Sequence, residues 1–224
     1  MKKLSAIFVF LFLLNGCTNP LQSHITSLKL AYRLNQDAEI SLDKVQESKV
    51  DLALIKSGDR PVAIIAKAFA EEGKDKWISE DRAMLVVESG RIIRTQGFKN
   101  DLLSLSGIGP DPLLQPEKLN GSSWRSLSDW ESGEYGYLSE SNFTVESEDI
   151  TVLEHHFSTI KVTESVEFKA KRNWLIGNQQ WDNVYWFDRH SNRLLKAKQR
   201  TAPHSNEFLI TFVSTAAELL QQGE

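Results

Sequence analysis

The chain is poor in cysteine: of 224 residues only Cys17 carries a thiol. That excludes an internal disulfide, and no site built from paired cysteines or from cysteine and histidine is expected. His-Glu-x-x-His is absent, which removes the usual sequence ground for a zinc hydrolase. Gly-x-Ser-x-Gly and a glycine-rich phosphate loop are absent as well, so neither a serine-hydrolase elbow nor a nucleotide cradle is indicated. Basic excess is lacking too, since the formal net charge is −4. Nucleic-acid binding rests on neutralising phosphates with Lys and Arg, so nucleic acid is not an expected partner. No apolar run approaches the roughly 20 residues a spanning helix needs. There is no internal repeat and no low-complexity segment.

What is present begins at the first residue. Lys2 and Lys3 precede an apolar run from Ala6 to Leu14, and Asn15-Gly16-Cys17 follows. A basic start, a short apolar stretch and small residues at a cut form the layout of a secretory signal peptide. The ending resembles a bacterial lipobox, so residues 1–16 are expected to be removed and Cys17 to become a lipidated N-terminus. Lipidation accounts for an otherwise unpaired thiol in an exported protein. Thr18, rather than Asp, follows the cysteine. By that resemblance the expected address is the outer membrane, with the body facing the periplasm. Acyl chains anchor additively, at about 0.8 kcal/mol per buried CH2, so several hold where one does not.

Residues 17–49 read as a lipidated tether with short helices. Thr18 to His24 is polar and broken by Pro20; Ile25, Leu28, Leu30, Ala31 and Leu34 are loosely spaced for a helix. Ser41 is placed to cap a second short helix through Val45. From Val50 to the end the pattern is that of one β-rich domain. Strands are expected at 50–56, 61–70, 75–79, 83–88 and 91–97, with Ser89-Gly90 as a two-residue hairpin turn. A turn-rich connector, Ser106 to Pro112, is the best candidate for a boundary inside the chain. Further strands follow at 124–130, 135–144, 151–156, 159–171, 184–188, 194–201 and 207–213. In the 159–171 stretch Ile160, Val162, Val166 and Phe168 alternate with polar residues, the period of a strand with one buried face. A short helix over 214–222 closes the chain. Many half-wet strands and few helices make the fold class mainly β, an antiparallel β-barrel or sandwich with short N- and C-terminal helices.

Nothing in this pattern is a specific catalytic or metal constellation, and no cofactor is indicated. His155 and His156 are adjacent on an expected strand and point to opposite faces, one to the core and one to solvent. Glu71-Glu72, Asp75, Glu80-Asp81 and the Glu146 to Asp149 run carry carboxylates that could cut a glycosidic bond if two converged. All are placed at expected turns, where solvated charge is the ordinary role. Glu164 stands on the apolar parity of its strand, which a bulge or strand end would explain. Trp124, Trp130, Trp174 and Trp181 are candidates for stacking on sugar rings, against the ordinary use of tryptophan as core.

Several stretches together resemble one family. They are Ala68-Phe-Ala-Glu-Glu-Gly73, Lys76-Trp-Ile-Ser79, Gly90-Arg-Ile-Ile-Arg-Thr95 with Gly97-Phe98 and Asp101-Leu102, Asp111-Pro-Leu-Leu-Gln-Pro116, Ser123-Trp124 with Trp130, and Asn183-Val-Tyr-Trp-Phe-Asp188 leading to Gln199. Their order and spacing are similar to the YjbF/GfcB family of outer-membrane lipoproteins. The resemblance implies a barrel-like β fold and an accessory, non-enzymatic role in assembling or exporting capsule or exopolysaccharide. It implies a periplasmic companion protein and an outer-membrane β-barrel as partners, and contact with polysaccharide itself is open. It supplies no catalytic residue. Two other readings compete: an acyl-chain carrier with a dry cavity lined by Ile64, Val86, Val162 and Phe168, and a glycan-binding or glycan-modifying protein.

Overall fold

A computed structural model describes residues 36–169 and 179–222. The leader, Cys17 with the tether through residue 35, and Trp174 lie outside the described residues. Helix α1 spans Leu42–Gln46. The strands are β1 Leu52–Ser57, β2 Ala63–Glu71, β3 Lys74–Ser79, β4 Met84–Glu88, β5 Arg91–Gln96, β6 Leu102–Gly107, β7 Ser123–Trp130, β8 Glu134–Val152, β9 His155–Lys169, β10 Gln179–Asp188, β11 Leu194–Arg200 and β12 Glu207–Thr211, and α2 is Val213–Gln222. All twelve form one antiparallel sheet in the order β5-β4-β3-β2-β1-β12-β11-β10-β9-β8-β7-β6.

This order brings the two edge strands, β5 and β6, back together as consecutive elements, so the sheet is a nearly closed barrel. The seam is held by side chains. Thr95 Oγ1 donates to Asp101 Oδ1 at 2.8 Å and accepts from the Leu102 amide at 2.8 Å. Asp101 also accepts from the amides of Gly97 at 2.7 Å and Phe98 at 3.1 Å. An edge left bare would invite a foreign strand.

The tight turns carry the backbone signature of hairpins whose twist matches the strands. Ser89 and Gly90 have φ of 51° and 88°, as expected for the turn between β4 and β5. Leu153 and Glu154, at φ 51° and 66°, turn β8 into β9. Here the structure corrects the sequence reading. Glu146 to Asp149 is not a turn but part of the single long strand β8, and the turn falls inside the stretch read as strand 151–156. The carboxylates sit across from a lysine: Lys161 Nζ lies 2.8 Å from Glu146 and 2.6 Å from Glu148. Strand β6 begins before the connector and pairs with β7, so no boundary falls between them. Ser41 stands at the N-cap of α1, but its side chain makes no capping bond.

Side-chain alternation separates two apolar layers. Inside the barrel pack Ala53, Ile55, Ile65, Trp77, Leu85, Val87, Ile92, Leu102, Trp124, Trp130, Phe143, Val162, Phe168, Tyr185, Ala197, Phe208 and Ile210, together with Leu113 and Leu119 from the connector. Outside, α1 and α2 cover the opposite face through Val45, Val213, Ala216 and Ala217 against Ile150, Val152, Phe157, Val184, Trp186 and Leu195. The four residues proposed for an acyl cavity do not converge. Val162 and Phe168 belong to the packed interior. Ile64 faces outward at 36% exposure, and Val86 lies between the inward Leu85 and Val87. Alternation put them on different faces of the same sheet.

Candidate functional site

The most unusual chemistry lies within the barrel interior. Arg91 is the first residue of β5, delivered inward directly after the Ser89-Gly90 turn, and only 3% of it is exposed. Glu164, in the middle of β9, is 1% exposed. Arg91 Nη1 lies 2.9 and 2.7 Å from the two Glu164 oxygens. Its Nε donates to Asp111 Oδ2 at 2.6 Å and its Nη2 to Asp111 Oδ1 at 3.3 Å. The guanidinium carbon stands 4.3 Å from the centroid of the Trp124 ring, a cation–π geometry.

Three more strands contribute. Asn183 Nδ2 and Tyr185 Oη, both on β10, each donate to Glu164 Oε2 at 3.1 Å. Gln199 on β11 accepts from the Ile92 amide at 2.9 Å and donates to the Gly90 carbonyl at 2.8 Å, fixing the backbone that carries Arg91. Burial pushes the Glu164 carboxyl up, but the Arg91 charge, with hydrogen bonds from Arg91, Ser141 and Asn183, outweighs it and holds the group below the usual carboxylate range. Tyr185 is driven far up by burial, with the Glu164 and Asp111 charges adding to the shift against Arg91, so it remains a neutral donor.

A carboxylate so depressed and so fully hydrogen-bonded is a poor proton donor at neutral pH. Its arrangement is that of a bolt. Asp111 accepts from the Leu113 amide at 2.9 Å and caps a single 3-10 turn, Pro112–Leu114. Through Asp111, Arg91 fastens the connector that drives Leu113 and Leu119 into the interior. Gly107 completes the cradle, because a Cβ there would lie 2.4 Å from Cζ2 of Trp124.

The residues singled out from sequence fall elsewhere or in other roles. Trp124 and Trp130 are 6% and 1% exposed and bury their rings in the core, so neither offers a face to a sugar. Their inward parity on β7 is the reason. Trp181 is half-buried and its Nε1 donates to the Arg200 carbonyl at 3.1 Å. His155 and His156 are both exposed, because they open β9 at the hairpin tip, beyond the reach of the core. Glu164 needs neither bulge nor strand end: its register through β8 and β10 is regular. The sequence marked it by parity, but its partner Arg91 lies 73 residues away. Arg91, Asp111, Asn183, Tyr185 and Gln199 were visible only as parts of the family-like stretches, which the fold gathers into one cluster. Among the described residues no group of three or more His, Cys, Asp or Glu could hold a metal ion, and no helix is long and apolar enough to cross a membrane.

A nearly closed antiparallel barrel with an apolar interior and a buried Arg–Glu–Asp bolt is thus the class of structure this chain builds. The chain belongs to the family described as group 4 capsule polysaccharide lipoprotein gfcB, YjbF, whose model matches residues 19–213. It is 23% identical over 227 residues to the uncharacterized lipoprotein GfcB of Escherichia coli K12, covering 93% of this chain and 96% of that protein. To the uncharacterized lipoprotein YjbF of the same organism it is 25% identical over 190 residues, covering 83% and 86%. The crystal structure of the hypothetical lipoprotein YmcC from Escherichia coli K12 superposes with a TM-score of 0.69 at 19% identity, over 89% of this chain and 97% of that one. That likeness establishes the shared fold.

Proposed function

We propose that this protein is a non-enzymatic accessory lipoprotein of capsule or exopolysaccharide assembly and export. Lipid on Cys17 holds it to the outer membrane, and the barrel faces the periplasm. The observation that carries the reading is the family match over residues 19–213. The interior is in keeping with it: Arg91, Glu164 and Asp111 are spent on one another, and Val162 and Phe168 lie within the packed apolar cluster. Its partners in this reading are a periplasmic companion protein and an outer-membrane β-barrel of the same secretion system. Deleting the gene and measuring cell-bound and released polysaccharide tests it. A clear drop, restored by the wild-type gene, is the expected result; unchanged polysaccharide in the deletion strain overturns it.

A further inference from the structure

One part of the barrel has backbone and apolar surface left over. On its β1 side, β2 is paired only as far as Lys67, whose amide donates to the Asp51 carbonyl at 2.8 Å. Strand pairing with β1 ends at Ala66 opposite Leu52. Ala68 to Glu71 continue beyond that point, joined among the described residues only to β3 on the other side. They form a free strand edge four residues long. A bulge between Lys67 and Phe69 shifts the register here, so Phe69 pairs with Lys76. Lys76 neighbours the inward Trp77, so alternation places Phe69 on the outer face. At 63% exposure it is the most exposed large apolar side chain among the described residues.

Beside this edge lies a groove of about 390 Å³. Val50, Asp51 and Lys67 form one wall, and Ser214, Ala217 and Glu218 of α2 form the other. Val50 is itself 49% exposed. Lys67 is paired with Asp51, Glu71 with Lys76, and Glu218 with Arg193, while Lys49 lines the groove with no acidic partner among the described residues. An occupant therefore gains from one acidic side chain directed at Lys49. Also unmet are backbone hydrogen bonding and the two apolar side chains.

We infer that the free edge Ala68–Glu71, with Phe69 and the adjoining groove, receives an extended segment of a partner protein that adds as a strand. The segment places apolar side chains against Phe69 and Val50 and one carboxylate toward Lys49. Strand addition of this kind takes affinity from main-chain hydrogen bonds and specificity from alternate side chains. The bulge that turns Phe69 outward is then a device for recognition. This deepens the proposed export role by giving the partner's chemistry, and it can fail independently of it.

The test uses the full-length lipoprotein in cells that make the polysaccharide. p-Benzoylphenylalanine replaces Phe69 in one strain and Leu114, an exposed residue of the connector, in a control. Irradiation is followed by mass spectrometry of the cross-linked peptide. The expected product joins position 69 to one extended segment of one other protein that carries an acidic residue near the cross-link. Adding Ala70→Pro, which removes the outward-facing donor of this edge, should lower its yield at least tenfold. Cross-links to lipid, to glycan or to a second copy of this chain overturn the inference. So does a protein cross-link that Ala70→Pro leaves intact, or one no stronger than at position 114. Separately, Phe69→Glu should leave the purified protein's Tm unchanged and lower surface polysaccharide about tenfold. Wild-type polysaccharide levels with Phe69→Glu, in a system where gene deletion abolishes them, refute the inference and spare the export role. A deletion without effect refutes the export role and leaves the cross-link to decide the docking site.

Discussion

Replacing Arg91 by methionine strips Glu164 of its counter-charge while leaving the carboxylate buried. Removing one partner of a buried ion pair costs about 3–5 kcal/mol, because the other charge is stranded. Replacing both by apolar residues of similar volume is often neutral or even stabilising. Arg91→Met/Glu164→Met should therefore be markedly more stable than Arg91→Met alone. It should not reach wild type, because Asn183 Nδ2 and Ser141 lose their acceptor, and a stranded buried donor costs about 1–3 kcal/mol. Tyr185 is less affected, since its hydroxyl also approaches Gln199 at 3.4 Å. In a domain of 150–250 residues each kcal/mol moves Tm by about 2–4 °C, so a loss near 4 kcal/mol lowers Tm by about 8–16 °C. Urea unfolding followed by circular dichroism at pH 7 measures wild type, Arg91→Met, Glu164→Met and the double variant. The pH dependence supplies a second check. The folded Glu164 value lies below its unfolded value, so its contribution is complete above the unfolded value and fades as pH falls through the folded one. The stability gap between wild type and the double variant should accordingly shrink in acid. A single variant that costs less than about 1 kcal/mol, or a double variant whose cost is the sum of the singles, would refute the bolt.

Three further outcomes are expected. Gly107→Ala drives a methyl against the rigid ring of Trp124 and should cost about 1–3 kcal/mol, as overpacking does; an unchanged denaturation midpoint and unchanged tryptophan emission would remove Gly107 from the cradle. Thr95→Ala takes one of its three donors from Asp101 and leaves the Leu102 amide without its side-chain acceptor, so it should cost about 1–3 kcal/mol and speed hydrogen exchange at Leu102; native protection there would mean that the seam is closed otherwise. Cys17→Ser should move the protein from the membrane to the soluble periplasmic fraction and reduce polysaccharide export; full export by the soluble variant would show that the anchor is an address only.

Much of the barrel was legible because its signals are local. Period-two alternation gave most of the strands, and Ser89-Gly90 gave a hairpin turn that only positive φ values allow. The failures were also physical. Clustered charge at Glu146 to Asp149 looks like a turn until Lys161 on the next strand is known to face it. A tryptophan on an alternating strand is sugar platform or core depending on which face closes, and at Trp124 and Trp130 the interior closed over it.

The sequence by itself therefore determined the class: an acidic chain rich in alternating strands, with a lipobox-like start, a single cysteine and no catalytic motif. Parity even marked Glu164 as out of place. Tertiary structure alone decided what Glu164 is for, because its partner Arg91 comes from another strand and the second carboxylate on Arg91, Asp111, from a third element. It also decided which apolar residues fill the barrel and which, like Phe69, are turned outward. Those outcomes depend on register and on a bulge, which are properties of paired strands and of no single stretch of chain.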